Sequence, residues 1–313
     1  MTLATNEMSH EEWLEIRKKS IGGSDAATIL GLNPYESPYS LWAYKTGKTE
    51  DKEDNEAMRQ GRDLEDYVAQ RFCEATGKKV RRKNQMLYND KYPWSHANID
   101  RDVVGENAGL ECKTTSTLNM RQFKNGEYPD TYYCQCIHYM AITGADKWYL
   151  AVLVLGRDFM YFEIPRNEDE IEALMAAEER FMNDWVKTDS PPPVDGREVT
   201  SEALKTVFAD VDHNLGTVQL FGRESIIKDY IDLGGQIKAL EKRREYCKQL
   251  LQEDLGASEY GETNNTVVSW KQQVRRAFDS KAFLSDHPEA ADDKYYKSTQ
   301  YRVFKIKEVG EIG

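Results

Sequence analysis

The chain has 313 residues, a formal net charge of −12 at pH 7, 40% hydrophobic and 11% aromatic residues, and no apolar run near the length of a membrane span. This describes a globular protein of one large unit or two smaller ones, and it excludes bilayer insertion through apolar helices and a surface coated in positive potential that would bind DNA by charge alone. An acidic exterior is still compatible with a local cationic channel, because screening confines the field to about 8–10 Å at physiological salt.

In chain order, the N-terminal MTLATNEMSHEEW has no basic region ahead of an apolar stretch, so no secretory signal and a cytoplasmic location are expected. Ser9 and Glu12 form a capping-box pattern, and Trp13, Ile16 and Arg17 recur at helical spacing, which predicts a helix over about 9–19. In IGGSDAATILG two glycines break the chain, Ser24 can cap, and Ala26 to Leu30 make a second short helix ending at Gly31. Pro34 and Pro38 bracket a turn before a third short helix in SLWAYKTG, and the acidic stretch 49–56 reads as an exposed loop or helix lead-in. From Met58 to Ala75, the positions Leu64, Tyr67, Val68, Ala69 and Phe72 mark an amphipathic helix.

After the basic segment KKVRRK, strands are expected at Gln85–Tyr88, Ala97–Val104 and Gly109–Thr115, the last two forming a hairpin through GENAG. A helix over about 130–143 follows, then a hairpin of KWYLAVLVLG with FMYFEIP, then a long capped helix in NEDEIEALMAAEERFMNDWV. The prolines of TDSPPPVDG favour an extended spacer, so the division expected is 1–188, a linker over 189–199, and a region 200–313 of different character. There, Ile226, Tyr230, Leu233, Ile237, Leu240, Cys247 and Leu251 recur at a spacing near 3.5, a long helix with a coiled-coil-like seam that Arg244 interrupts. NTVVSWKQQV and YRVFKIKEV read as a small terminal sheet. The fold class expected is α/β (α+β), a central mixed sheet flanked by helices, with a C-terminal helical arm for assembly or partner docking. The five scattered cysteines read as free thiols, and Cys134 and Cys136 lack a second pair with which to bind zinc or an iron–sulfur cluster.

Alternate residues of a strand share a face, so Glu111 and Lys113 point one way while Leu110, Cys112 and Thr114 point the other. If the strands over 97–104 and 109–115 pair, Asp100 lies beside them and two carboxylates and an ammonium share one small area. Such a group suits phosphodiester hydrolysis, which needs a hard divalent cation on oxygen ligands, an activated water and positive charge to offset the transition state. The competing reading is an ordinary charged strand face. Glu65 shares a helical stripe with Val68, Ala69 and Phe72, so its carboxylate is expected to be part-buried and to face either a cation or a Lys or Arg partner. Ser24 at a helix start and Arg17 on the preceding helix can together cradle a phosphate, although Ser24 alone reads as an N-cap. Gln135 and Tyr139 share one helix face. The basic run, with Lys79, Arg81 and Arg82, reads as solvated surface or as a track for phosphates. No histidine stands at metal-ligand spacing to another, though His96 directly precedes the acidic strand.

NID followed by LECK resembles the PD-(D/E)XK nuclease motif, with Asp100, Glu111 and Lys113 at its three active positions. Asn98 and Ile99 depart from the Pro-Asp form without removing a chemical group. Over about 9–187 the chain further resembles the YqaJ-like phage recombinases of the lambda-exonuclease-like branch, through EEWLEIRKKSIGGSDAATILG, GRDLEDYVAQRF, NID, LECK and YYCQCIHYMAITGADKWYLAVL. That resemblance implies a Mg²⁺-dependent 5′-to-3′ exonuclease, with Mn²⁺ able to substitute, acting on double-stranded DNA ends beside a single-strand annealing protein. It implies metal ligation by Asp100, Glu111, the Cys112 carbonyl and Glu65, an orienting role for Gln135, a water-deprotonating role for Lys113, 5′-phosphate binding by Arg17 and Ser24, and a ring-shaped homotrimer. The rivals are an endonuclease of the same fold, with the Cas4 type disfavoured by the missing cysteine cluster, and a catalytically silent DNA-end scaffold.

Overall fold

The computed structural model describes residues 2–4, 8–51, 54–299 and 301–306. The chain forms two units, residues 1–209 and 210–313. The first opens with a short strand β1 (Thr2–Ala4) and helix α1 (His10–Lys19), where the capping box is complete: the Glu12 N–H donates to Ser9 Oγ and the Ser9 N–H to Glu12 Oε2. Helix α2 (Gly23–Ile29) follows, with Gly22 as its N-cap and the Gly22 N–H donating to Asp25 Oδ2 at 3.0 Å. Ser24 is therefore inside the first turn and does not cap, contrary to expectation; the carboxylate one position further on takes that role. Helices α3 (Pro38–Lys45) and α4 (Glu56–Thr76) complete the N-terminal helical part, and Gly77 ends α4 at φ 71°, a conformation that glycine adopts without Cβ strain.

A five-stranded sheet forms the centre, in the order β2 (Val80–Arg82), β5 (Arg101–Val103), β6 (Ala108–Thr115), β7 (Lys147–Val154), β8 (Asp158–Pro165). Only β6 and β7 are parallel. Helix α5 (Asp130–Thr143) makes the crossover that a parallel pair requires. α4 covers one face through Val68, Ala69 and Phe72 against Leu110, Tyr149 and Ala151, while α5 and α6 (Glu168–Arg180) cover the other around Trp148, Leu150, Val152 and Ile164. A sheet covered on both sides explains why β6 and β7 read as nearly continuous apolar runs. Gly109 is required there, since a Cβ at that position would lie 2.2 Å from the Trp148 ring.

The strand expected over Ala97–Val104 is broken at Ile99 and Asp100. Its first part, β4 (Ala97–Asn98), joins a small sheet with β3 (Gln85–Leu87) and β1, whereas β5 belongs to the central sheet. β5 pairs with β6 only at Arg101↔Leu110 and Asp102↔Gly109. Continued pairing would bring Ile99 opposite Cys112; instead the chain turns away and the Cys112 N–H donates to Asp100 Oδ2 at 2.7 Å. A backbone donor left over at a strand edge thus fixes the acidic side chain.

The expected linker does not separate the units. Past the prolines, helix α7 (Glu198–Val207) packs back on α3: Arg197 donates to the Glu36 carbonyl, Thr200 Oγ1 to Ser37 Oγ at 2.7 Å, and Ala203 is buried in a cluster with Tyr39 and Trp42. The division falls after Ala209 because apolar burial retains α7 in the first unit. The second unit contains α8 (Glu224–Leu255), the hairpin β9 (Tyr260–Glu262) and β10 (Val267–Ser269), and α9 (Ser280–Asp286). β10 thus pairs with β9 and not with YRVFKIKEV, whose residues 301–306 are not strand and whose remainder lies outside the described residues.

Candidate active site

On β6 the alternation holds: Leu110 and Cys112 lie toward α4, and Glu111 and Lys113 toward α5. Glu111 is 2% exposed. Its Oε1 lies 2.6 Å from Lys113 Nζ, while its Oε2 is buried with no hydrogen-bond partner among the described residues. Burial pushes both acids above the usual carboxylate range, against the pull of Lys113 in each case, and Asp100 is raised well up, by desolvation first and then by Glu111. For Lys113, burial acts downward, but Glu111 and Asp100 outweigh it, so its proton is held more firmly than in water. Lys113 Nζ also donates to Gln135 Oε1 at 2.9 Å, and Gln135 Nε2 donates to the buried Tyr139 hydroxyl at 2.7 Å. The structure therefore brings Asp100, Glu111, Lys113, Gln135 and Tyr139 into one connected network.

A buried carboxylate oxygen without a donor is costly. Beside a second carboxylate, it is the kind of site a hard cation occupies, and the two acids fit Mg²⁺ by donor type. The Cys112 thiol does not join them, since burial, then Asp100, pushes it up and keeps it protonated; its carbonyl is the ligand it can offer. Among the described residues no group of three or more His, Cys, Asp or Glu side chains is arranged to hold a metal.

Glu65 explains the shortfall. Its Oε1 lies 2.5 Å from Nη1 of Arg101 and 3.5 Å from Nη2 of Arg82. The Arg101 side chain is 4% exposed and also donates to the Asp100 carbonyl at 2.6 Å and to Asp66. Arg101 follows Asp100 directly, yet no spacing rule singles it out: it shares the Leu110 face, and only the pairing register sends it to α4.

Arg17 Nη2 donates to Ser24 Oγ at 2.9 Å, which unites the two expected phosphate residues at a cleft of about 840 Å³ lined also by Trp13, Tyr44, Asp54 and Arg62. Beneath it sits a pair that sequence reading missed. Lys45 Nζ is 2.6 Å from Asp25 Oδ2 and donates to the carbonyls of Arg17 and Ser20, so α3 holds the end of α1 and the start of α2 together. Burial pushes Asp25 up, but Lys45 and Arg17 outweigh it and hold the acid low. Gly23 does more than break the chain: a Cβ there would fall 2.7 Å from Tyr139 and 3.1 Å from Gln135 Cγ, so its bareness seats α2 on the network. His96 is 1% exposed and bonded to Ser20 Oγ at 2.7 Å, and His138 Nε2 donates to the His96 carbonyl while Glu178 holds its other nitrogen at 2.8 Å. These histidines pin α5 and α6 to the strand before Asp100. In the basic run, Arg81 pairs with Asp102 and Arg82 with Asp66, while Lys79 is exposed. Exposed pairs of this kind are weak, so they leave these cations able to meet a phosphate.

The YqaJ-like viral recombinase domain profile matches residues 12–146. Protein YqaJ of Bacillus subtilis (strain 168) is 38% identical over 311 residues, covering 98% of this chain and 97% of that one. Among solved structures, LHK-Exo in complex with dAMP, an alkaline exonuclease from Laribacter hongkongensis, is 20% identical and covers 57% of this chain and 93% of its own, with a TM-score of 0.50. At that identity the likeness concerns the fold alone, a central mixed sheet flanked by helices, and no helix among the described residues is long and apolar enough to cross a membrane. An identity of this extent along nearly the whole length of both chains, with the matched domain enclosing Asp100, Glu111 and Lys113, makes the chain a member of the YqaJ-like viral recombinase family.

Proposed function

We propose that the protein is a Mg²⁺-dependent exonuclease that digests double-stranded DNA ends in the 5′-to-3′ direction. The observation that carries this reading is the unpartnered, buried Oε2 of Glu111 beside Asp100, with the Lys113 ammonium on the other oxygen. Asp100, Glu111 and the Cys112 carbonyl would hold the cation, and Glu65 would help with a second once its carboxylate exchanges Arg101 for the metal. The cation, Mg²⁺ or Mn²⁺, supplies Lewis-acid polarisation of the phosphate and a lowered water pKa.

The chain's own groups do the rest. Lys113, whose ammonium lies 2.6 Å from Glu111 Oε1, would orient the attacking water and offset phosphate charge, and a cation on the two carboxylates would weaken the field that holds its proton and so favour the deprotonating role the resemblance implies. Gln135, fixed at both ends of its amide, holds Lys113 in place and presents a polar edge to the reacting phosphate. Arg17 and Ser24 would bind the 5′-phosphate, which sets the polarity, and Lys79, Arg81 and Arg82 would follow the backbone. A single-strand annealing protein is the partner this product calls for, and a homo-oligomer, a trimer ring by resemblance, is the expected assembly.

The test is digestion of linear duplexes bearing 5′-phosphate or 5′-hydroxyl ends, with a circular plasmid alongside. Nucleotide release from the phosphorylated linear substrate in Mg²⁺, abolished in Lys113→Ala, is expected. Cleavage of the circle would make it an endonuclease, and undiminished release by Lys113→Ala would reject the assignment.

A further inference from the structure

The second unit carries a surface that the site does not use. Along α8, Ile226, Tyr230, Leu233, Ile237, Leu240, Arg244, Cys247 and Leu251 follow one another at alternating steps of four and three. No residue of the helix is buried; Ile226, Leu233 and Ile237 are each 55% exposed and Leu240 is 64% exposed. The Phe304 ring lies 5.4 Å from that of Tyr230, at one end of the stripe. A straight helix drifts about 20° per heptad from a 3.5-residue repeat, so such a stripe stays aligned only when wound around a helix of the same repeat. The next longest helix, α4, buries its own stripe against the sheet. The occupant that matches is therefore a second copy of α8.

The flanking charges select the orientation. With Tyr230, Ile237 and Arg244 at the a positions and Ile226, Leu233 and Leu240 at d, a parallel in-register pair would set Arg244 against Arg244 and Arg243 against Lys248. Both contacts repel. An antiparallel pair that opposes Leu233 to Ile237 sets Tyr230 against Leu240 and moves Arg244 to the two ends of the seam, where its stem can lie over Ile226 with its head in water. It also brings Asp229 opposite Arg243 on both sides, and neither makes an ion pair among the described residues. Gly234 then faces Gly234 at the two-fold axis, where a missing side chain permits close approach. Gly234 and its neighbour Gly235 have open space around them, and each costs about 1 kcal/mol relative to alanine in an exposed helix.

We propose that α8 pairs antiparallel with α8 of a second copy of this chain, in the register that opposes Leu233 to Ile237. The contact is isologous, so it doubles whatever assembly the first unit makes. The proposal is independent of the nuclease reading, and its test does not use activity.

The mass of the full chain is measured by light scattering at micromolar concentration. Asp229→Arg and Arg243→Asp each place like charges at both ends, and each is expected to halve the mass. The double variant exchanges the two charges and restores it. Because these are exposed positions, a loss of fold is excluded by an unchanged helical circular dichroism signal. In this register the two Cys247 residues stand about 36 Å apart, from 24 residues of offset at 1.5 Å each, so mild oxidation of the wild type gives no disulfide-linked dimer. A mass unmoved by either single reversal overturns the proposal, as does failure of the double variant to restore it. A Cys247 cross-link would do so too, by showing a parallel pair. A mass that changes only when residues 301–306 are deleted would show the chain's own terminal segment to be the occupant.

Discussion

Arg101→Met tests how the carboxylates of the centre are held. The substitution keeps an apolar stem and removes a guanidinium whose side chain is 4% exposed and which meets Glu65 at 2.5 Å and the Asp100 carbonyl at 2.6 Å. Breaking a buried pair by removing one partner costs about 3–5 kcal/mol. The Glu65 side chain is 26% exposed and recovers some water, and Asp66, at 76%, contributes little, so the lower end, about 3 kcal/mol, is expected. For a unit of this size that is a fall of roughly 6–12 °C in melting temperature. The assay is urea and thermal denaturation of Arg101→Met, Glu65→Gln and the double variant, with and without Mg²⁺. If Arg101 chiefly neutralises Glu65, the double variant is more stable than additivity allows, by about 1.5 kcal/mol or more. Mg²⁺ should also restore more stability to Arg101→Met than to the wild type, because a ligand that binds only the folded state stabilises it by mass action and the freed carboxylate adds to its site. Additivity within about 0.5 kcal/mol, or no differential effect of Mg²⁺, would refute the account.

Two further predictions follow from groups around the centre. The His96 imidazole is pulled from 6.5 to about 3 by burial and then by Lys45, so the unfolded chain takes up its proton first as pH falls. This contribution is complete above pH 6.5 and shrinks by about 1.4 kcal/mol per pH unit below it; comparing the stability of His96→Asn with the wild type between pH 7 and 5 should show a difference of about 2 kcal/mol in pH dependence, and parallel curves would count against a neutral buried imidazole. In Gly23→Ala the new methyl must displace Tyr139 or Gln135, so Mg²⁺-dependent nucleotide release should fall about 10–100-fold for a stability cost of only about 1–3 kcal/mol. Wild-type turnover in that variant would mean the network tolerates displacement.

What was legible in the sequence is what local rules control. The capping box at Ser9, the period of α4, the helix at α5, the β7–β8 hairpin and the shared face of Glu111 and Lys113 all follow from spacing within one element or two neighbouring ones, and LECK with NID pointed to the candidate site because its residues lie on two chain-adjacent segments. Tertiary structure decided everything that depended on register or on distant partners. The break at Ile99 and Asp100 arises because β4 and β5 serve different sheets, and the short β5–β6 register both directs Asp100 to the Cys112 amide and sends Arg101 across to Glu65. The Asp25–Lys45 pair, the return of α7 onto α3 and the closeness of Gly23 to Tyr139 join residues far apart in the chain. A helical or strand period records which face a residue occupies, but burial and charge pairing are set by what another element brings to that face.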